Sequence, residues 1–244
     1  MDEIEKFKQE VLERIASYES DAVFKELARE WMRQSVLKKY TYNFKWLGRP
    51  IIQMPQDIIG LQEIIWEVKP DLIIETGIAH GGSLIFSASM LALLGGDGKV
   101  LGIDIDIRRH NREEIEQHPL AKRIEMIEGS SVDDETAQKV YEFAADYSNI
   151  MVILDSNHTH AHVKKELELY SPLVSVGSYI IVFDTFIEDM PRNLFPDRPW
   201  NVGDNPKTAI CEFLQENNNF EIDKDVENKL LLTSAPGGYL KRIK

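Results

Sequence analysis

The sequence predicts an α/β protein with a Rossmann-like, doubly wound and mostly parallel sheet, an antiparallel C-terminal edge hairpin and an N-terminal helical extension. From residue 57 onward, short apolar runs alternate with amphipathic helical patterns. Strands that are apolar on both faces and separated by helices are typical of a parallel sheet that is covered on both sides. The rhythm changes after residue 217, where two apolar runs follow each other closely.

The N-terminal part of the chain is predicted to be helical as far as about residue 40, because its apolar side chains recur at close to helical spacing. The stretch 41–56 is aromatic and irregular, which predicts a loop packed over another part of the chain. A length of 244 residues suits one domain with an appendage. We place the domain at 51–244 and the extension, a candidate lid, at 1–50.

Five strands and five helices are predicted beyond the extension. The predicted strands are the apolar runs 72–75, 100–104, 123–128, 149–155 and 179–184. The predicted helices cover residues 57–68, 83–94, 133–147, 162–174 and 207–217. The last two apolar runs, 220–223 and 229–235, lie close enough along the chain to pair as the antiparallel hairpin.

Charge and composition argue against several classes of protein. The chain has 41 acidic and 28 basic residues and a net charge of −13, which argues against a nucleic-acid partner, because clustered Lys and Arg bind phosphates. The apolar runs are too short to span a bilayer, and the charged N-terminus lacks the apolar core of a signal peptide. We therefore expect a cytoplasmic location. Cys211 is the only cysteine, and its helical pattern predicts a small buried residue.

A glycine-rich turn follows the first predicted strand and contains Gly77 and Gly81. Ligands of open α/β sheets bind beyond the carboxyl ends of the strands, and glycine lets the backbone approach them closely. No Lys or Arg occurs between Lys69 and Lys99, so the turn is not a P-loop, whose lysine binds phosphates. The turn is either a ligand-binding loop or a purely structural connection.

Two acidic residues indicate which ligand this turn would bind. Glu75 stands just before the first glycine, where a carboxylate suits a ligand that carries positive charge. Asp104 ends the second predicted strand, where it is placed to accept hydrogen bonds from ribose hydroxyls. A ribose-bearing ligand with a cationic tail describes S-adenosylmethionine (SAM) better than NAD.

Four motifs together resemble one known family, the cephalosporin hydroxylase family. They are E-x-G-x-x-x-G-G-S at 75–83, G-I-D-I-D at 102–106, G-S-S at 129–131 and D-S-N-H-T-H at 155–160. Members of that family have the class I SAM-dependent methyltransferase fold and include macrolide-sugar and rhamnosyl O-methyltransferases. The likeness runs from about residue 51 to 243, and it includes P-x-x-A-I-x-x-F-L at 206–214 and the terminal T-S-x-P-G-G-Y-L.

The resemblance implies a SAM-dependent O-methyltransferase that acts on a hydroxyl of a sugar or a small natural product. It also implies a Mg²⁺ ion that orients two adjacent hydroxyls of the acceptor. The residues expected to bind SAM are Glu75, Gly77, Gly81, Ser83, Asp104, Ser130, Ser131 and Asp155.

Asp155 and Asp184 end neighbouring predicted strands and should face the same edge of the sheet, where carboxylates can bind a divalent cation. The resemblance places the first metal ligand at Asp155 and two adjacent acids at positions 183 and 184. Position 183 is Phe, so the site either recruits another ligand or binds its metal weakly or not at all. Glu188 and Asp189 lie nearby in sequence. The alternative is that both aspartates cap helices or hold loop backbone.

His158, His160 and His162 form the densest histidine cluster in the chain. His158 matches the position where the resemblance places a general base, and a neutral imidazole can take a hydroxyl proton near pH 7. A zinc site is disfavoured because no cysteine is nearby. The alternative is that the three residues are helix-start or surface histidines.

Two other functions remain alternatives at this point. One is a cephalosporin-hydroxylase-type oxygenase component, which would need an iron site of two histidines and one carboxylate. The other is a catalytically degenerate SAM-fold binding protein that has lost its metal site at Phe183. The N-terminal helices are expected either to cover the acceptor site or to form a subunit contact in a homo-oligomer.

Overall fold

The computed structural model describes residues 2–244, and two helices precede the sheet. α1 spans Glu3–Ser20 and α2 spans Ala22–Leu37. The side chain of Asp21 accepts a hydrogen bond from the N–H of Phe24 at 2.9 Å and so caps the start of α2. The predicted helical extension is therefore present.

A short antiparallel ribbon follows, made of β1 (Lys45–Trp46) and β2 (Arg49–Pro50). The aromatic stretch was predicted to pack over another part of the chain, and Trp46 does so. Its ring lies 5.0 Å from that of Phe86, and its indole N–H donates to Ser89 at 3.0 Å. The ribbon is thereby fixed to the helix that follows the glycine-rich turn.

The main sheet has seven strands in the order β5-β4-β3-β6-β7-β9-β8. Its strands are β3 (Leu72–Thr76), β4 (Lys99–Asp104), β5 (Ile124–Glu128), β6 (Ile150–Leu154), β7 (Tyr179–Val182), β8 (Phe220–Ile222) and β9 (Tyr239–Arg242). The first five are parallel, as predicted, and β3 pairs with both β4 and β6. Because the chain leaves β3 toward one edge and returns to β6 on its other side, the topological switch point lies between the ends of β3 and β6.

Seven helices pack on the two faces of this sheet. They are α3 (Pro55–Val68), α4 (Gly82–Leu94), α5 (Arg109–Glu116), α6 (Asp134–Ala144), α7 (His160–Tyr170), α8 (Pro206–Glu216) and α9 (Lys224–Leu230). One core cluster joins α3 and α4 to residues such as Ile73 and Ile181. The other joins α6, α7 and α8 to residues such as Ile74 and Val152. Side chains of one strand alternate between these two cores, which explains its continuous apolar run.

The antiparallel edge is confirmed, but one of its predicted strands was wrong. β9 lies between β7 and β8 and is antiparallel to both. The run 229–235 forms no strand, because α9 occupies Lys224–Leu230. Asp223 accepts hydrogen bonds from the N–H groups of Asp225 and Val226, so it is a helix cap where the sequence pattern had indicated the end of a strand.

Two smaller points concern single elements. Cys211 is exposed, so the prediction of a buried residue was wrong; α8 turns Ala209, Ile210 and Phe213 toward the core instead. None of the helices within residues 2–244 has both the length and the apolar character that a membrane-spanning segment requires.

Gly82, the first residue of α4, permits a close backbone contact with the ribbon. A Cβ atom at this position would overlap the carbonyl oxygen of Pro50 and crowd the Cα atom of Ile51. Both of these partners are backbone atoms in a buried or half-buried strand connection, so they have little room to move. The segment that begins at Pro50 can therefore lie directly against the start of α4 only because residue 82 has no side chain.

Substituting Gly82 by alanine should destabilise the protein by about 1–3 kcal/mol, the usual cost of overpacking. Gly60→Ala is the matched control, because the added methyl group there meets only the flexible end of the Leu230 side chain. That change also removes a glycine from the interior of α3 and should be close to neutral. Urea unfolding of both variants is the measurement, and equal losses of stability would contradict the close contact.

Candidate functional site

The backbones of β3 and β6 separate at the switch point, and Gly77 lies where they do. Its φ is +92°, and a Cβ atom would overlap the carbonyl oxygen of Asp155. The N–H of Asp155 donates to the carbonyl of Thr76 at 2.9 Å, so the two strand ends stay joined up to this point. The glycine is therefore required by both its conformation and its surroundings.

The loop after Gly77 is held by three polar side chains from different elements, which are those of Asp104, Arg49 and Asn111. Asp104 accepts hydrogen bonds from the N–H groups of Ile78 (2.8 Å) and Ala79 (3.3 Å). Arg49 donates twice to the carbonyl of His80, at 3.0 and 2.7 Å. Because these loop N–H groups already face a carboxylate, they do not form a phosphate cradle, in agreement with the exclusion of a P-loop.

Arg49 and Asn111 were not found by sequence reasoning. Asn111 donates to the carbonyl of Ala79 at 2.8 Å and accepts from Arg49 at 3.1 Å. Ala79 has a φ of +45°, an unfavourable value for a residue with a side chain, so the loop needs such support. No local motif marks either residue, because both act through contacts distant in sequence.

This loop forms one wall of a pocket, and the chain just after the ribbon forms the opposite wall. The pocket is lined by Pro50, Ile51, Ile52, Gln53, Gly77, Ile78, Ala79, His80, Gly82, Ser83 and Asp155. Gln53 was not predicted; it is buried, and its Oε1 atom has no hydrogen-bond partner. The aromatic character of 41–56 indicated that this stretch covers something, but it did not identify the polar residue at its end.

Glu75 is linked to this pocket through Ser83, which lines the pocket and bonds to the Glu75 carboxylate. Glu75 is 1% exposed, accepts a hydrogen bond from the hydroxyl of Ser83, and leaves its Oε2 atom without a partner. Burial raises the pKa of Glu75 from 4.5 to about 7, and the Ser83 hydrogen bond opposes that rise. A nearby cation would favour the charged form of this carboxylate.

Ser130 and Ser131 follow β5, and the structure gives them different surroundings. Ser131 is buried, and its hydroxyl donates to Glu166 at 2.6 Å, as does that of Ser156 at 2.7 Å. The hydroxyl of Ser131 is therefore engaged inside the fold. Ser130 is half-buried and does not share this network.

A second group of side chains adjoins the pocket at Asp155. One ligand atom each from Asp155, His158 and Asp184 lies within 4.8 Å of the other two. His158 Nε2 is 3.0 Å from Asp184 Oδ2. The sequence analysis selected all three residues, and the structure brings them together because β6 and β7 are neighbouring parallel strands.

The electrostatics of this cluster suit a cation. The pKa of Asp155 is raised well above its usual range, first by burial and then by the carboxylates of Asp184 and Glu75, while the Gln53 amide opposes the shift. Two carboxylates and an imidazole are a donor set that divalent metals accept. The residues present therefore fit a divalent cation.

Phe183 does not contribute to this cluster. Its side chain is 2% exposed and belongs to the core that contains Ile181 and Tyr239. Asp184, the next residue, has a left-handed conformation with φ +57°, which aspartate tolerates better than most residues. The left-handed residue turns the chain away from the line of β7, whereas Phe183 continues the alternation of Tyr179 and Ile181.

The two acids named as substitutes for position 183 have other partners. Glu188 accepts hydrogen bonds from the N–H of Gly203 at 2.7 Å and from the Asn205 amide at 2.5 Å. Asp189 pairs with Lys207 at 2.7 Å. Their positions hold the loop 190–205 rather than complete the cluster.

Trp200 lies on this loop and contacts the reactive cluster, as we call the group of Asp155, His158 and Asp184. Its ring is 5.5 Å from the His158 ring in an edge-to-face arrangement, and Phe195 packs against it at 4.7 Å. Two aromatic rings of this loop thus stand beside the imidazole. Trp46, by contrast, packs into the fold.

The other two clustered histidines lie elsewhere. His160 is 2.8 Å from the Thr208 hydroxyl and 3.0 Å from Glu212, so it joins α7 to α8. His162 Nε2 is 3.0 Å from the Ser131 hydroxyl, within the buried network around Glu166. Of the three, only His158 adjoins Asp155 and Asp184.

Comparison with known proteins gives matches along most of the chain. The family model described as Rhamnosyl O-methyltransferase/CmcI matches residues 38–243. A Rhamnosyl O-methyltransferase of Mycobacterium tuberculosis is 33% identical over 228 residues, covering 91% of this chain and 86% of that protein. Its counterpart from Mycobacterium leprae is 31% identical over 199 residues, covering 81% and 82%.

Two solved structures show a similar fold. A structure of CmcI with Mg and SAM has a TM-score of 0.60 at 22% identity and covers 83% of this chain and 78% of that chain. An O-methyltransferase from Bacillus cereus in complex with SAH has a TM-score of 0.53 at 16% identity, covering 80% and 81%. At these identities the likeness establishes the SAM-dependent methyltransferase fold.

The buried carboxyl of Glu75 should make stability depend on pH. Between its ordinary pKa of 4.5 and its folded pKa of about 7, the unfolded state loses the proton first, so stability falls as the pH rises. The free energy of unfolding of Glu75→Gln minus that of the natural protein should therefore increase by about 3 kcal/mol between pH 4 and pH 8, whatever this difference is at pH 4. Urea unfolding at both pH values measures it.

The exposed Glu10 offers the control for this experiment. Glu10→Gln should show the same difference from the natural protein at both pH values. A Glu75→Gln curve that runs parallel to that control would mean that Glu75 is not held protonated by burial.

Proposed function

The chain belongs to the Rhamnosyl O-methyltransferase/CmcI family, and from that premise we propose that it is a SAM-dependent O-methyltransferase acting on a hydroxyl of a sugar or small natural product. The observation that carries the proposal is the position of Asp155. This residue lines the pocket below the glycine-rich loop and also belongs to the cluster with His158 and Asp184. A cofactor bound in the pocket would therefore end beside the group that activates the acceptor.

SAM would lie across the glycine-rich loop. Gly77 and Gly81, with φ values of +92° and +79°, give the loop the conformation that would face the cofactor, and Ser83 with the buried Glu75 would face its cationic end. Asp104 has lone pairs beyond those used by the loop and would accept hydrogen bonds from the ribose, and the half-buried Ser130 would border the adenine. A positive charge near Glu75 would lower the pKa of that carboxyl, opposing the rise to about 7 that burial causes.

Asp155 and Asp184 would hold the divalent cation, and Mg²⁺ is the ion found with CmcI. When bound, the ion orients the acceptor oxygens and lowers the pKa of the hydroxyl that it contacts. The two aspartates fix its place at the end of β6 and just after β7. A positive charge there would also oppose the burial and the carboxylate repulsion that together raise the pKa of Asp155.

His158 would take the proton from the acceptor hydroxyl. The carboxylate of Asp184, 3.0 Å from the imidazole, stabilises the positive charge that the imidazole gains. Bound SAM would supply the methyl group to that oxygen, with its sulfur as the leaving group in the form of a neutral thioether. Trp200 excludes water from one side of the imidazole and fixes its orientation.

The donor set favours this function over the two alternatives. An iron-dependent oxygenase component would use two histidines and one carboxylate, whereas the one metal-type cluster among the described residues has one histidine and two aspartates. A degenerate binding protein would not need Asp155, His158 and Asp184 to converge.

We also infer a small-molecule acceptor, a cytoplasmic location and a methyltransferase domain over 51–244, with 1–50 as an extension. The net charge of −13 supports the absence of a nucleic-acid partner.

His158→Ala should lower turnover by about 10²- to 10⁴-fold, the usual contribution of a general base, and should leave SAM affinity nearly unchanged. The measurement is a methyl-transfer assay with rhamnose-containing acceptors, together with calorimetric titration of SAM. His160→Ala is the control and should retain most of the activity. Its imidazole is two residues from His158 in sequence but contacts Thr208 and Glu212 of α8 instead of the cluster. Equal activity of the two variants would remove the base assignment.

Asp184→Asn should weaken divalent-metal binding about tenfold or more while leaving SAM binding in the absence of metal nearly intact. Calorimetric titration of Mg²⁺ into the SAM complex measures the first effect and titration of SAM the second. Glu188→Gln is the control, because that carboxylate bonds Gly203 and Asn205 instead of facing the cluster. No SAM binding by the natural protein would contradict the function, and metal binding unaffected by Asp184→Asn would contradict the metal site alone.

A further inference from the structure

Asp57 is a buried acidic residue that lies far from the reactive cluster in sequence. It lies in the first turn of α3 and is 0% exposed. Its Oδ1 accepts hydrogen bonds from the hydroxyls of Thr233 (2.5 Å) and Tyr239 (2.8 Å). Its Oδ2 accepts from the N–H (2.8 Å) and the hydroxyl (2.7 Å) of Ser234. Burying a carboxylate is costly, and four donors are what make it tolerable here.

All four donors belong to the terminal motif at 233–240, to which the proposed reaction gives no role. We call residues 233–238 of this motif the brace. The brace bonds in turn to the chain that follows β7. The hydroxyl of Thr185 donates to the carbonyl of Pro236 at 2.9 Å. The N–H of Phe186 donates to the carbonyl of Ser234 at 3.4 Å.

A third contact joins the brace to the end of β7 itself. The N–H of Val182 donates to the carbonyl of Gly238 at 2.9 Å, and a Cβ atom at Gly238 would overlap the carbonyl oxygen of Val182. The brace is therefore hydrogen-bonded to the chain on both sides of Asp184. That residue has a left-handed backbone, a conformation that persists where its surroundings impose it.

Position 183 adds weight to the placement of Asp184. Because Phe183 is in the core, Asp184 is the only carboxylate that the end of β7 offers to the cluster. A small displacement of its backbone therefore has no second acid to compensate for it.

We propose that Asp57 is a positioning residue, which acts through the brace to hold Asp184 at the distance from Asp155 and His158 that cation binding and proton transfer require. The inference rests on the proposed function for its catalytic consequence. Its structural part, the coupling of Asp57 to the backbone around Asp184, stands apart from that function and can be measured without any ligand.

Asp57→Asn tests the inference, because the amide keeps the shape of the side chain but presents N–H donors where a hydroxyl or amide donor now points. Hydrogen exchange of the peptide covering 183–190 should become about tenfold faster or more, while the peptide covering the glycine-rich loop should not change. Mn²⁺ affinity, measured by the resonance signal of the free ion, should fall about tenfold, with SAM affinity nearly unchanged.

Asp71→Asn is the matched control. The Asp71 carboxylate accepts three hydrogen bonds, from the N–H and hydroxyl of Ser148 and from the N–H of Asn149. These residues lie at the amino ends of β3 and β6, opposite to the strand ends that carry the cluster. This variant should lose stability without changing exchange at 183–190 or Mn²⁺ affinity. If both variants lose stability and neither alters exchange near Asp184, Asp57 is merely structural and the inference fails.

Two further outcomes also decide the question. If Asp57→Asn does not fold, Ser234→Ala removes one of the four donors and should give the same pattern at smaller amplitude; unchanged exchange at 183–190 in that variant overturns the inference. If the natural protein binds no Mn²⁺, the proposed metal site fails, and the exchange experiment alone decides whether Asp57 holds the backbone of Asp184.

Discussion

The backbone contact between Gly77 and Asp155 is the constraint from which the rest of the site follows. Residue 77 has no side chain, so the carbonyl of Asp155 can lie against it at the point where β3 and β6 part. This contact places the loop after β3 and the first residue of the reactive cluster side by side. A larger residue would separate the pocket from the groups that are proposed to do chemistry at its end.

The charges around that contact are unusually one-sided. Glu75, Asp155 and Asp57 are carboxylates removed to different degrees from water, and the pKa of each is raised by burial. Within residues 2–244 no Lys or Arg forms an ion pair with these three carboxylates, so a bound cation would be favoured beside them. The sulfonium of SAM and a divalent metal are two such cations, and they would relieve different members of the group.

The sequence predicted most of the fold because each parallel strand is a continuous apolar run and each helix has its own periodicity. It also predicted that Asp155 and Asp184 lie at the same edge, since residues at the ends of adjacent parallel strands must meet, whereas His158 was selected through the family resemblance. The run 229–235 was misplaced because apolar content outweighed the cap at Asp223. Arg49, Gln53 and Asp57 were missed because each depends on a partner distant in sequence, which no local pattern reports.

The burial of Phe183 limits what a substitution at this position can do. A glutamate placed there would not point at the cluster; it would enter a packed core beside Ile181 and Tyr239, where a charge has no partner. A three-acid site therefore needs more than a single substitution at position 183, since the backbone turn at Asp184 and the core beneath it would have to change together.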